Sequence, residues 1–325
     1  MAGSIFAGQP KLDHKRERIL QPRKPTRIGD ITVTGFPVDH SAFDSMAMLL
    51  EADGKRILYS GDLRLHGRKP GMAQALIRHA QANPVDVLLM EGTNISRPHE
   101  GHCQTEEELV DALQKEITEC PGLVLANFSP QHVDRFVSFY KTARRARREF
   151  VMDAYGAFVW HLASGQIEIP KLAAKAGIRV YYNQSFERSW QRRNLKKVHD
   201  LFLGQRIDLA EILDEPERYV MLFRSSMTDL DFKCMLPRQT TCIYSFWPGY
   251  LIQPEYRALK TKLAEADGEF VECHTSGHIF AEDIVKFVKA INPRYVVPIH
   301  TETPERFQDF FENTLLQNDG VPLII

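Results

Sequence analysis

No stretch of this sequence is both apolar and long enough to cross a bilayer, no two cysteines make a CxxC pair, and the charges nearly cancel. The first absence points to a soluble protein with no membrane partner. The second, with Cys103, Cys120, Cys234, Cys242 and Cys273 odd in number, suggests neither a disulfide framework nor a zinc knuckle, so buried reduced thiols are expected. The third, a formal net charge of −1, means that any nucleic-acid affinity must come from a local basic surface. The short apolar patch at Ile5 and Phe6 has no basic segment ahead of it; a secretory signal is not indicated, and a cytoplasmic location is expected. Internal repeats and low-complexity tracts are missing as well.

What is there is an ordinary globular composition, 43% hydrophobic and 26% charged, in a chain of 325 residues. That length suits two compact units, or one domain with a large insertion. Residues 1–28 show no sustained period and read as a lead-in. From Ile31 the alternation with Val33 predicts a strand running into Asp39-His40-Ser41. The apolar runs Met46 to Leu50 and Arg56 to Tyr59 flank Asp53-Gly54, a tight hairpin signal because both turn residues tolerate positive φ. A helix near Met72 to Ala82 precedes a buried strand, Val85 to Met90. Thr105-Glu106-Glu107-Glu108 fits a capping box that opens a helix ending at Pro121-Gly122. Leu123 to Phe128, the helix-like Gln131 to Arg148 and Phe150 to Met152 alternate as parallel α/β units do. Further strands are predicted at Ile178 to Tyr182, Tyr219 to Phe223 and Thr241 to Ser245. The chain closes with Phe270 to Cys273, the helix Ala281 to Ile291 and the strand Arg294 to Ile299.

Five residues able to bind a metal or move a proton sit just past predicted strands: His40, Asp62, Glu91, His278 and His300. Loops leaving strand ends are where a rigid α/β scaffold can converge side chains from distant parts of a sequence. A zinc ion needs imidazole nitrogens and carboxylate oxygens meeting at one point, and His40, Asp62 and His300 would suit. Taken singly, each has a plainer reading. A loop histidine is more often a surface or hydrogen-bonded residue, Asp62 after Ser60-Gly61 would close a turn, and Glu91 would cap a helix.

In order, Val38-Asp39-His40-Ser41-Ala42-Phe43-Asp44, Tyr59-Ser60-Gly61-Asp62, Leu89-Met90-Glu91-Gly92-Thr93, Ser276-Gly277-His278 and Pro298-Ile299-His300-Thr301-Glu302 resemble the downstream motifs of metallo-β-lactamase fold hydrolases with a β-CASP insertion. That family includes ribonuclease J and the endonuclease that trims messenger RNA 3′ ends. The resemblance spans about residues 31 to 307 and implies an α/β fold, a partial metallo-β-lactamase αββα sandwich with an inserted α/β β-CASP domain. The expected division is 1–122 for the first, incomplete part of the metallo-β-lactamase domain, 123–266 for the β-CASP domain and 267–325 for the closing segment.

By the same resemblance, two zinc ions (Zn2+) are the implied cofactors. His40 would be a ligand of the first metal, Asp62 the carboxylate bridging both, and His300 a ligand of the second. Glu91 would orient a metal-bound water or a neighbouring ligand, and His278 would face the scissile phosphate, stabilising charge or protonating the leaving oxygen. Ser276 and Gly277 would let backbone approach the phosphate. The implied activity is RNA phosphodiester hydrolysis; a catalytically silent nucleic-acid binder and a small-molecule ester or thioester hydrolase are the alternatives.

The pattern departs from the family in one respect: its upstream His-x-His-x-Asp-His motif occurs nowhere in this sequence. Each metal would then keep about two protein ligands rather than a full set. An apolar sheet face and a strand edge would be uncovered. A fragment, an internally started reading frame or one half of a split protein is therefore expected, with a separately encoded N-terminal half as a candidate partner beside RNA and a second copy of the chain.

Two basic clusters, Arg144-Arg145-Arg148 and Arg192-Arg193-Lys196-Lys197, are candidate phosphate surfaces, with Trp190, Tyr181 and Tyr182 as candidate base-stacking rings. A solvated helix face beside core aromatics is the alternative. His66 reads as a surface turn or a cleft residue after Asp62, and His274 flanks the Ser276 loop. His79, His132, His161 and His199 fall within helix-like stretches and read as structural; His14 reads as exposed lead-in, and His99 and His102 stand near the site motifs.

Overall fold

The computed structural model describes residue 6, residues 18–97, residue 103 and residues 105–324. His14, His99 and His102 lie outside the described residues, as does most of the lead-in. Among the described residues thirteen strands follow in chain order: β1 (Thr26–Ile28), β2 (Ile31–Pro37), β3 (Met46–Ala52), β4 (Lys55–Tyr59), β5 (Val87–Glu91), β6 (Val124–Asn127), β7 (Glu149–Asp153), β8 (Ile178–Tyr181), β9 (Arg206–Ile207), β10 (Tyr219–Leu222), β11 (Thr241–Tyr244), β12 (Glu269–Glu272) and β13 (Tyr295–Ile299). The chain divides into two compact units, one of Met1–Asp13 with Glu107–Thr275 and one of His14–Glu106 with Ser276–Ile325. They are called here the parallel-sheet unit and the mixed-sheet unit.

The mixed-sheet unit carries six strands in the order β1-β2-β3-β4-β5-β13. The hairpin read at Asp53-Gly54 is present, with both residues at positive φ (49° and 72°) as a two-residue turn between right-twisted strands requires. β2 pairs antiparallel with β3 and β3 with β4, while β4, β5 and β13 pair in parallel. It follows that β2, β4, β5 and β13 all run the same way and end at one edge. Phe36, Ala47, Leu49, Leu58, Leu88, Met90 and Val296 face the helices Pro70–Ala82 and Ala281–Ile291, whose Leu76, Ile284 and Phe287 complete the core. Because side chains alternate along a strand, Met48, Leu50, Ile57, Tyr59 and Leu89 point to the other face. There Met48 and Tyr59 are 37% and 36% exposed, and the rest are half-buried.

The parallel-sheet unit carries seven strands in the order β12-β11-β6-β10-β7-β8-β9, every pair parallel. β6, β10 and β11 are buried along their whole length, as parallel strands covered on both faces must be. Leu125, Met221 and Tyr244 pack against Leu259 and Leu263 of the helix Pro254–Glu265. On the opposite face Phe150 meets Phe136, which itself packs edge-on against Trp160 at 5.2 Å. The helix Ala154–Ala163 contains His161, read from the sequence as lying in a helix-like stretch, whereas the helix Pro254–Glu265 was not anticipated.

Several expectations from the sequence are corrected here. Cys234 is exposed, unlike the other four thiols. Arg148 is buried, its guanidinium donating to the carbonyls of Cys120 and Gly122, so it belongs to the fold and not to a phosphate surface. Tyr181 and Tyr182 are buried too, Tyr181 donating to Asp231 at 2.6 Å, so neither is free to stack on a base. No described helix is long and apolar enough to cross a membrane.

Candidate metal centre

The common strand direction decides where the candidate residues fall. His40 follows β2, Asp62 follows β4, Glu91 ends β5 and His300 follows β13, so all four collect at one edge of the mixed sheet. His278 joins them from the loop ahead of the helix Ala281–Ile291. His40, Asp62 and His278 form one group whose ligating atoms lie within 4.8 Å of one another; Glu91, His278 and His300 form a second. His278 is common to both.

Asp62 stands between two histidines. Its Oδ1 lies 3.0 Å from His300 Nδ1 and its Oδ2 lies 3.7 Å from His40 Nε2, one oxygen for each ring. Donors about 2.0–2.2 Å from one tetrahedral zinc lie roughly 3.3–3.6 Å apart. The two observed separations bracket that span, so a carboxylate shared by two ions fits these three side chains. The turn that delivers Asp62 needs glycine: Gly61 has φ +59°, and a Cβ there would stand 2.7 Å from the Met46 carbonyl oxygen.

Each histidine is oriented from behind. His40 Nδ1 is 2.7 Å from the Gly277 carbonyl oxygen. A carbonyl only accepts, so Nδ1 carries the proton and Nε2 is left as the ligating atom. Burial holds the His40 pKa below its ordinary value, favouring the neutral ring a metal needs. For His278, burial works in the same direction, but the hydrogen bond and charge of Glu91, 3.2 Å away, outweigh it and raise the pKa. Glu91 is fully buried and accepts from the Leu63 amide at 2.9 Å. His300 has φ +50°, a left-handed conformation that a histidine adopts at a cost and that recurs at functional sites.

Thr93 and Asn94 carry parts of the site that the sequence reading did not assign. Thr93 Oγ1 lies 3.3 Å from His278 Nδ1 and 3.2 Å from His300 Nδ1. Asn94 Nδ2 donates to Ser276 Oγ and to the carbonyls of His278 and Ile279 at 3.1–3.2 Å, pinning the Ser276-Gly277-His278 loop. The only signal in the sequence was their position directly after Glu91-Gly92. His66 holds the same loop from another side, with Nε2 2.8 Å from the Ser276 carbonyl and its ring stacked on Phe280 at 4.0 Å. Gly277 admits no side chain, since a Cβ would stand 2.6 Å from Ser41 Oγ. Beneath, Arg64 is buried between Asp39 (3.0 Å) and Glu106 (2.6 Å), fixing the segment that carries His40.

Comparisons with known proteins bear on the family. Residues 4–118 match the Beta-lactamase superfamily domain, and residues 268–320 match the Zn-dependent metallo-hydrolase RNA specificity domain. Ribonuclease J of Thermus thermophilus is 22% identical over 302 residues, covering 87% of this chain and 48% of its own length. Ribonuclease J of Helicobacter pylori is 19% identical over 292 residues, with coverages of 88% and 40%. The chain thus spans about half, or less, of the curated relatives it matches. A crystal structure of a protein of unknown function from Enterococcus faecalis V583 superposes with a TM-score of 0.76 at 27% identity, over 98% of this chain and 72% of that one. The two domain matches and the ribonuclease J relatives support a metallo-β-lactamase/β-CASP ribonuclease-like protein, and the two sheets are consistent with that α/β fold.

Proposed function

We propose that this metallo-β-lactamase/β-CASP ribonuclease-like chain holds divalent metal, zinc by preference, on His40, Asp62 and His300 and hydrolyses RNA phosphodiesters. The observation that carries the reading is the placement of Asp62, which offers one carboxylate oxygen to each of two histidines that are far apart in sequence. Bound there, zinc would supply Lewis acidity and an activated water at neutral pH. The chain's own contributions are positional and electrostatic. Gly277 fixes the ring of His40 through its carbonyl, and Thr93 links His278 to His300. Glu91 anchors His278 through Nδ1 and raises its pKa, which suits His278 to give a proton to the leaving oxygen.

A second reading is favoured by one observation. The two candidate ligand groups share His278, so among the described residues they do not make up two independent full sets. We infer that these side chains alone do not complete the sites of two metal ions. On its own the chain would then bind RNA without cleaving it.

Elemental analysis and incubation with end-labelled RNA in zinc or manganese separate these readings. Stoichiometric metal with cleavage that drops by about a hundredfold or more in Asp62→Asn is the result expected for hydrolysis by this chain. Metal-free protein that shifts RNA in a gel without cutting it would replace that reading with the silent binder. Protein that takes up no metal and leaves RNA unshifted would end both.

A further inference from the structure

Of the two basic clusters singled out in the sequence, the fold employs one and leaves the other unexplained. Arg148 is buried, and Arg144 and Arg145 stand in the last turn of the helix Val133–Arg145, where the helix dipole favours a cation. Arg188, Arg192, Arg193, Lys196 and Lys197 have no comparable place. All five are exposed, in the segment that follows β8 in the parallel-sheet unit.

This segment is wound tightly enough to keep its charges together. The amides of Arg188, Trp190, Arg193 and His199 each donate to the carbonyl four residues back. At about 1.5 Å of rise per residue, the stretch from Arg188 to Lys197 spans roughly 15 Å. Arg192 reaches back to the Arg188 carbonyl at 3.5 Å, so two like charges lie one turn apart. No acidic residue falls between Arg188 and Lys197.

Ion pairs do not account for the cluster. Elsewhere in the same unit guanidinium groups meet carboxylates: Arg179 with Glu149, Arg206 with Glu187 and Arg238 with Asp267. Within the cluster Lys196 pairs with Asp200 at 2.5 Å, and among the described residues the other four cations have no carboxylate partner. Arg188 donates to the Gln184 side chain and Arg193 to the Phe6 carbonyl, both neutral acceptors. Like charges one helical turn apart repel, which costs the fold stability and returns nothing to it. A polyanion laid across them turns that repulsion into attraction.

The side chains also indicate which polyanion. Three of the five are arginines, whose planar fork takes two oxygens of one phosphate where an ammonium acts as a point charge. The rings nearby are engaged in the fold: Trp190 stacks on His199 at 4.3 Å, and Tyr182 and Phe186 are buried. Contacts from this segment therefore go to backbone phosphates, which position a strand without reading its sequence.

We propose that the Arg188–Lys197 segment is an RNA-holding surface that grips the phosphate backbone whatever the bases. The proposal rests on the RNA reading given above and locates a grip in the unit that does not carry the candidate metal ligands.

Fluorescence anisotropy of the full chain with labelled oligouridylate and oligoadenylate, over a range of salt and in chelator so that no strand is cut, tests it. The two strands are expected to bind with comparable affinity. Arg188→Gln/Arg192→Gln/Lys197→Gln alters three exposed side chains and should bind about tenfold or more weakly at low salt. It should also lower the slope of log K against log salt by about two, at about 0.7 for each phosphate contact on a single strand. Lys141→Gln/Arg145→Gln/Lys289→Gln removes the same charge from exposed positions elsewhere and should leave affinity and slope near those of the wild type. Arg192→Gln alone, expected to lower the slope by about 0.7, keeps the test decisive if the first triple variant misfolds. Polyglutamate and phosphatidylserine vesicles are added as competitors, the vesicles because Leu201 and Leu203, 44% and 48% exposed, follow the cluster. Neither should displace the strand as unlabelled RNA does. Wild-type chain that binds no RNA, equal slopes in the two triple variants, or displacement by either competitor as effective as by RNA would overturn the proposal. The metal reading fails separately, as RNA left uncut in zinc or manganese, whatever the variants do in chelator.

Discussion

The two sheets of this protein are built to different standards of closure. The parallel sheet is covered on both faces: Leu125 and Met221 meet one set of side chains, Phe150 and Leu222 lie on the other, and its central strands are buried throughout. The mixed sheet is covered by helices on one face only. Leu49 and Leu58 are almost completely buried there, while their neighbours Met48 and Tyr59 on the reverse face are more than a third exposed. The difference teaches that the parallel-sheet unit carries its own complete core. The mixed-sheet unit, which holds the candidate metal ligands, leaves Met48 and Tyr59 exposed on its reverse face.

The hardest way to break this comparison is to strike each unit at its most buried point. Arg64→Met would leave Asp39 and Glu106 as buried carboxylates without their shared cation, a loss of about 3–5 kcal/mol. Phe136→Ala would empty the space between Phe128, Phe150 and Trp160 at a cost of about 3–5 kcal/mol. Amide exchange should accelerate in β4 and β5 for the first and in β6, β7 and β10 for the second. If either variant loosened both sheets equally, the chain would unfold as one cooperative body and the contrast would fail.

Adjacent residues of β3 sharpen it next. Leu49→Ala should cost about 2–5 kcal/mol, whereas Met48→Ala, on the open face, should stay within about 0.5 kcal/mol. Urea titration of the isolated chain reads both. A Met48→Ala cost close to that of Leu49→Ala would mean that the outer face is already covered in solution.

A smaller effect is expected at Gly61. An alanine there must hold a left-handed backbone at about 1–2 kcal/mol and push its Cβ toward the Met46 carbonyl, 2.7 Å away. The accompanying change should be larger in metal uptake than in stability, because the same turn aims Asp62. Unchanged uptake in Gly61→Ala would remove the argument that this turn presets the carboxylate.

Much of the architecture was legible because local signals agreed with one another. The Asp53-Gly54 turn, the paired apolar runs beside it and the Asn292-Pro293 break all point the same way, and Asn292 does take a left-handed conformation, φ 53°, at the helix end. Of the helix Ala154–Ala163 only a helix-like stretch around His161 was legible and its bounds were not, because its residues are apolar on nearly every side and a stripe repeating every 3.6 residues cannot show. The helix Pro254–Glu265 carried a readable mark, proline at its first position. His40, Asp62, Glu91, His278 and His300 stood out because strand ends converge. Thr93 and Asn94 did not, since threonine and asparagine after a strand read as turn formers.

The gentlest probe concerns His66, which sits in the mixed-sheet unit behind the site loop. Burial holds its pKa below the ordinary value of 6.5, and the hydrogen bond to the Ser276 carbonyl offsets only part of that. The unfolded chain therefore takes up this proton at a higher pH than the folded one does. Stability from this group is complete above about pH 6.5, declines as the pH falls through that value, and stops declining below the folded pKa, where both states are protonated. His66→Gln keeps a donor for Ser276 and has nothing to titrate. Between about pH 8 and about pH 5.5 its unfolding midpoint should fall less steeply than that of the wild type. Identical slopes would show that the imidazole takes its proton in the folded protein at no penalty, and that the Ser276 loop yields to make room for the charge.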